Sequence, residues 1–141
     1  MKLVTCFIAF TLFLILFPAR MEAADFALVV NKNNPLQSME RSDVKKIFLG
    51  KKTFWPDDQR IEVILQTGGD IHRSFAYEIL NKSPRQLSLY WKQALFSGTG
   101  VPPRQYSDDQ SVQEAVASNV QAIGYVDIFQ LDESVRKIDL F

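Results

Sequence analysis

Three short runs, at residues 26–30, 61–65 and 122–126, limit what this chain can fold into. Each is dominated by apolar and β-branched residues, and helix-period segments lie between them. The first, Phe26-Ala27-Leu28-Val29-Val30, reads as a strand buried on both faces and closed by the turn Asn31-Lys32-Asn33-Asn34-Pro35. Met39, Val44, Ile47 and Phe48 recur at near-helical spacing, with Gly50 just past the expected end. Phe75, Ala76, Ile79 and Leu80 give a second helix its apolar face, with Asp70 as the expected cap. Ser83-Pro84 is a fresh helix start, followed by Leu87, Tyr90, Trp91, Ala94 and Leu95 on one stripe. Ser107-Asp108-Asp109 opens a fourth helix, with Val112, Ala115 and Val116 facing inward. Strands alternating with helices predict an α/β domain with a mostly parallel mixed sheet and helices on both faces. Strands are expected near 26–31, 61–65, 104–106, 122–126 and 135–141. The expected core includes Val29, Phe48, Val63, Phe75, Leu80, Trp91, Val116 and Ile123.

The N-terminal residues read as a processing segment and not as fold. Lys2 precedes an uncharged, mostly apolar stretch at residues 3–17, and the small pair Ala23-Ala24 follows. A charged start, an apolar run of about 7–15 residues and a small-residue exit are the pattern of a secretory signal peptide. The run is short for a membrane span, which needs about 20 residues. We therefore expect a signal peptide at residues 1–24, cleaved between Ala23 and Asp25, a domain at residues 25–141, and a periplasmic or secreted location. Cys6 is the one cysteine and leaves with the signal peptide, so the domain must be held by its core. A chain of this size buries roughly two thirds of its unfolded surface, which suffices without cross-links.

Composition removes several chemistries. Lys+Arg and Asp+Glu are equal at 16 each, which speaks against a broad nucleic-acid face. One histidine, His72, excludes a histidine-rich metal site, and no cofactor is expected. No serine sits in a G-x-S-x-G elbow, and no Walker A or dinucleotide fingerprint is present. Asp57-Asp58 and Asp108-Asp109 are bare pairs that suit turns and helix caps better than a Ca²⁺ loop. What remains is a strand, the loop Gln66-Thr67-Gly68-Gly69-Asp70 and a helix. Such a junction exposes backbone N–H groups at the positive end of a helix, and the glycines let an anion approach. Arg73, one turn in, can add a charge-assisted pair.

Several segments together resemble a known family. They are Val29-Val30-Asn31 with Asn34-Pro35, Ile47-Phe48-Leu49-Gly50-Lys51 with Trp55, and Gln66 before its glycine loop. Tyr90-Trp91, Phe96-Ser97-Gly98-Thr99-Gly100 with Pro102-Pro103, and Ala122-Ile123-Gly124-Tyr125-Val126 follow in order. The chain is similar to the short phosphate-ABC-transporter substrate-binding-like proteins, relatives of the periplasmic phosphate-binding protein. The resemblance implies a type 2 periplasmic-binding-protein fold, of which this chain matches the second lobe only, as a single three-layer unit. It also implies a non-enzymatic protein that holds phosphate or another small oxyanion, and a link to the membrane component of an ABC transporter or another envelope protein. In the full-length family an arginine and a Ser-Gly-Thr type loop hold phosphate. Residues 66–70 occupy that stretch here, with Asp70 where a serine is expected. Carried over, Thr67, Gly68, Gly69 and Arg73 would donate, Gln66 would orient, and Ser107 would face the same rim. An ionised Asp70 capping the helix would oppose an anion. The other reading is a protein-interaction module whose ligand-facing side docks a second protein.

Overall fold

Strand β1, Phe26–Asn31, alternates its side chains between two separate cores. Leu28 and Val30 join one with Phe48, Phe75, Trp91 and Tyr125. Ala27 and Val29 join the other with Val112 and Val116. A strand feeding two cores needs apolar residues at successive positions, which is why the run shows no polar alternation. The computed structural model describes residues 25–141, so the expected signal peptide and its cleavage point lie outside the described residues.

The elements after β1 are β2 (Ser38–Met39), α1 (Arg41–Phe48), β3 (Glu62–Gln66), α2 (Gly69–Glu78), α3 (Pro84–Ser97), β4 (Arg104–Tyr106), α4 (Asp109–Ala117), β5 (Ala122–Asp127), β6 (Val135–Lys137) and β7 (Asp139–Leu140). Five strands form one sheet in the order β4-β3-β5-β1-β6. β3 runs parallel to both β4 and β5, while β1 is antiparallel to both β5 and β6. Four strands therefore share a direction and β1 alone opposes them, the mostly parallel mixed sheet that the sequence predicts. Helices α1, α2 and α3 cover one face and α4 the other, giving three layers.

The packing explains several residues. Phe75 stacks on Tyr125 with ring centres 3.9 Å apart and meets Phe48 edge-on at 4.7 Å. α3 begins with a full capping box, in which the Ser83 hydroxyl accepts from the Gln86 N–H and the Gln86 side chain answers the Ser83 N–H. Asn31 donates to the Val116 and Ala117 carbonyls at 3.0 and 2.9 Å, satisfying open groups at the end of α4. Gly50 holds φ +73, and a Cβ there would come within 2.9 Å of the Trp91 ring. The Lys46 ammonium and the Asp43 carboxylate pair loosely at 4.0 Å near the end of α1.

Four expectations change. Met39 belongs to β2 and not to α1, whose cap position is Glu40. The expected last strand at 135–141 is two strands: β6 continues the main sheet, and β7 turns away to pair in parallel with β2 as a second, two-stranded sheet. The switch occurs where Ile138 gives its N–H to Leu28 and Asp139 gives its N–H to Gln37. Val63 is only partly buried, packed against the first core, since β3 runs near the sheet edge. Asp70 does not cap α2, as described next.

Candidate functional site

The parallel register of β3 and β4 sets Gln66 beside Tyr106 and so brings the loops that follow both strands to one end of the sheet. Thr67 is fixed there by its N–H, which donates to the Tyr106 carbonyl at 3.0 Å. Thr67, Gly68, Gly69, Asp70 and Ser107 are all exposed at this end. The carboxyl ends of parallel strands are where α/β domains usually take ligands.

The start of α2 differs from expectation. Gly68 occupies the cap position in extended backbone, no side chain caps the helix, and Gly69 follows at φ +89. A Cβ at either glycine would meet nothing within 4 Å, so the approach is open. Asp70 lies inside the first turn, and its carboxylate accepts from the Arg73 guanidinium at 2.9 Å. This spacing places the two side chains on one helix face, and an aspartate in the first turn already suits the helix dipole without capping. Among the described residues the N–H groups of the first turn thus keep no side-chain partner, while Arg73 is engaged by its neighbour.

α4 starts differently. Asp108 caps it by accepting from the Ser111 N–H at 2.7 Å, and that bond holds the carboxyl below its ordinary range. The Ser107 hydroxyl lies 3.4 Å from the same carboxylate. Asp109 turns inward. Its Oδ1 accepts from Gln66 Nε2 at 2.7 Å and from the Asp127 N–H at 3.0 Å. Gln66 also donates to the Tyr125 carbonyl at 3.1 Å, so its buried side chain is committed to the scaffold. It positions the loop from below.

Beneath the loop lies a group that sequence reasoning missed. The Tyr125 hydroxyl accepts the Gln66 N–H at 3.0 Å and sits 2.6 Å from Nδ1 of His72. Burial lowers the His72 pKa and raises that of Tyr125, favouring neutral forms of both. The phenol gives its proton to Nδ1 in the tautomer whose imidazole carries its own proton on Nε2. The signal available in sequence was His72 beside Ile71 and one turn from Phe75, a polar ring on an apolar helix face. Among the described residues no group of three or more His, Cys, Asp or Glu side chains is placed to hold a metal ion.

A family model described as the PBP superfamily domain matches residues 18–138. The chain belongs to this family. Among solved structures, this PBP superfamily domain is similar to an ABC-type phosphate transport receptor from Vibrio cholerae, with a TM-score of 0.64 and 24% identity. The match covers 83% of this chain and 46% of the receptor. A protein described as a phosphate ABC transporter substrate-binding protein, from Clostridium perfringens and solved with bound phosphate, gives the same TM-score of 0.64 and identity of 24%, over 83% and 45% of the two chains. PstS from Borrelia burgdorferi matches at a TM-score of 0.65 and 12% identity, over 83% of this chain and 47% of that one. The PBP superfamily domain thus spans about half the length of these structures. At these identities they establish its fold. No curated protein matches the sequence.

Proposed function

We propose that this domain is an exported, non-enzymatic solute-binding lobe that takes phosphate or a similar small oxyanion and works with phosphate ABC transport. The observation that carries the reading is the uncapped start of α2 behind an open Gly68-Gly69 backbone. Free N–H groups at a helix N-terminus are donors aimed at an anion, reinforced by the helix dipole. Thr67 adds a hydroxyl, and Ser107 adds another from the neighbouring strand end. Arg73 joins once an anion competes with Asp70 for its guanidinium. The fold likeness to a protein solved with bound phosphate supports this choice of anion. Export follows from reading residues 1–24 as a signal peptide, and the membrane component of an ABC transporter is the proposed partner.

Calorimetry with phosphate and sulfate on wild type, Asp70→Ser and Arg73→Ala tests the site. Removing the Asp70 charge frees Arg73 and the helix end, and affinity should rise by about 0.3–2 kcal/mol. Arg73→Ala should weaken binding by about 1.5–3 kcal/mol, the range for a charged hydrogen bond. No heat from any of the three folded proteins at millimolar anion defeats the reading. N-terminal sequencing of the exported form tests the cleavage, with Ala24 or Asp25 expected first.

A second reading has one observation of its own. Phe129 follows β5 at the same end of the sheet and is 85% exposed. Aromatic residues are enriched in protein–protein interfaces relative to the rest of the surface. A Phe129→Ser variant that loses a partner while keeping its anion affinity would support interaction as the main role.

A further inference from the structure

A cavity of about 340 Å³ opens between α3 and the β3–β4 edge, beside the Thr67 loop. Its size is within the roughly 300–1,000 Å³ of small-molecule sites. Its floor is made by Leu65, Gln66, His72, Leu87 and Trp91, all buried. Its mouth carries Ser88, Lys92 and Gln105, which are exposed.

Two of the floor residues have hydrogen-bonding groups left over. His72 is 94% buried, since only 6% of its surface is exposed, and among the described residues its one hydrogen bond is made by Nδ1. Nε2 therefore remains, and it is a donor in the tautomer where the Tyr125 phenol gives its proton to Nδ1. Trp91 is equally buried, and its indole N–H has no acceptor among the described residues. A buried donor without an acceptor is costly, by an amount comparable to a lost hydrogen bond. The Trp91 nitrogen is enclosed, so its ring serves the cavity as an apolar wall, and His72 Nε2 is the donor on the floor. Lys92 has no ion-pair partner among the described residues, and no aspartate or glutamate lines the cavity.

We propose that this cavity is a second binding site, for a small carboxylate with an apolar body. The carboxylate meets the Lys92 ammonium and His72 Nε2–H, and the apolar body lies against Leu65, Leu87, Leu95 and the Trp91 ring. The donors differ from those of the Gly68-Gly69 loop, so the site stands whether or not that loop takes phosphate. Inorganic phosphate lacks the apolar body and is the wrong occupant here.

The experiment is a titration of the ¹⁵N-labelled protein with benzoate, benzyl alcohol and inorganic phosphate, read on the two indole N–H signals. Trp55 is the internal control, because its indole N–H already donates to the Gln121 carbonyl at 3.2 Å. Benzoate should move the Trp91 signal and leave the Trp55 signal in place. Benzyl alcohol, of similar shape but uncharged, should bind at least about tenfold more weakly. Ser88→Phe fills the mouth and should abolish the shift, and Lys92→Glu should weaken benzoate by about tenfold or more. Both positions are exposed, so the variants should remain folded. Phosphate should move the Gly68 and Gly69 amides without moving Trp91. If phosphate moves nothing while benzoate moves Trp91, the loop reading fails and this one stands. A Trp91 signal unmoved by tens of millimolar benzoate overturns the proposal. So does equal binding of the alcohol, or an undiminished shift in Ser88→Phe.

Discussion

Tyr125 and His72 share one hydrogen bond, 2.6 Å from the phenol oxygen to Nδ1, and through it strand β5 holds the first turn of α2. The same oxygen accepts the Gln66 N–H at the end of β3. One hydroxyl therefore ties β5 to β3 and α2, two consecutive elements more than 40 residues earlier in the chain.

Tyr125→Phe keeps the ring stacked on Phe75 and deletes only this oxygen. The Gln66 N–H and His72 Nδ1 lose their partner in a buried setting. The expected loss of stability is about 1–3 kcal/mol, the cost of stranding buried polar groups. Urea unfolding of the two proteins measures it, and a change within error would show that the hydroxyl is dispensable.

Acid should weaken the fold in two stages. Burial lowers the folded-state pKa of His72 below its ordinary 6.5. The unfolded chain then binds a proton at a pH where the folded one does not, so stability is full above about 6.5 and falls as pH drops below it. Asp108 and Asp132 have lowered pKa values as well, each from hydrogen bonds to a nearby serine, so their contributions are lost only below the ordinary carboxylate value of 3.8. His72 is the single histidine, so its ring signals titrate without ambiguity in a proton spectrum. A midpoint at or above 6.5 would contradict the first stage.

Gly124→Ala tests how closely α4 lies on β5. The added Cβ would come 3.0 Å from Val112 Cγ1 and 3.4 Å from Val116 Cγ2. Overpacking of this kind costs about 1–3 kcal/mol. A thermal melt should show the drop, and unchanged melting would mean that α4 shifts freely outward.

Ser83→Ala removes one half of the capping box of α3. The expected cost is about 0.5–2 kcal/mol, and Ser83→Gly should cost less than Ser83→Ala. Chemical denaturation of the pair checks the order.

Local chemistry made part of this molecule legible in advance. Ser83-Pro84 announces α3 because capping acts within a single turn, and the run at 122–126 announces β5 because a doubly covered strand must be apolar throughout. β2 and β7 were not legible. Each has two residues, and their pairing of Met39 with Leu140 joins distant parts of the chain. Asp70 misleads for a different reason: an aspartate near a helix start suits a cap and suits a pair with Arg73 one turn on, and sequence does not rank the two. Asp109 looked like half of a cap pair, yet its carboxylate reaches Gln66 and Asp127 on two other strands. Inward aim of that kind depends on the finished sheet, as does the cavity above His72 and Trp91.

β1 lies between β5 and β6 in space although both follow it by most of the domain. The centre of the sheet therefore cannot close until the C-terminal strands exist. A growing chain keeps Leu28, Val29 and Val30 without strand partners through nearly all of its synthesis, and loop closure over such a separation precedes any reward from pairing. High contact order of this sort slows folding. Under the export proposed above, slowness of that kind is useful, because a chain that has not yet closed its sheet is still a chain that can be threaded through a membrane.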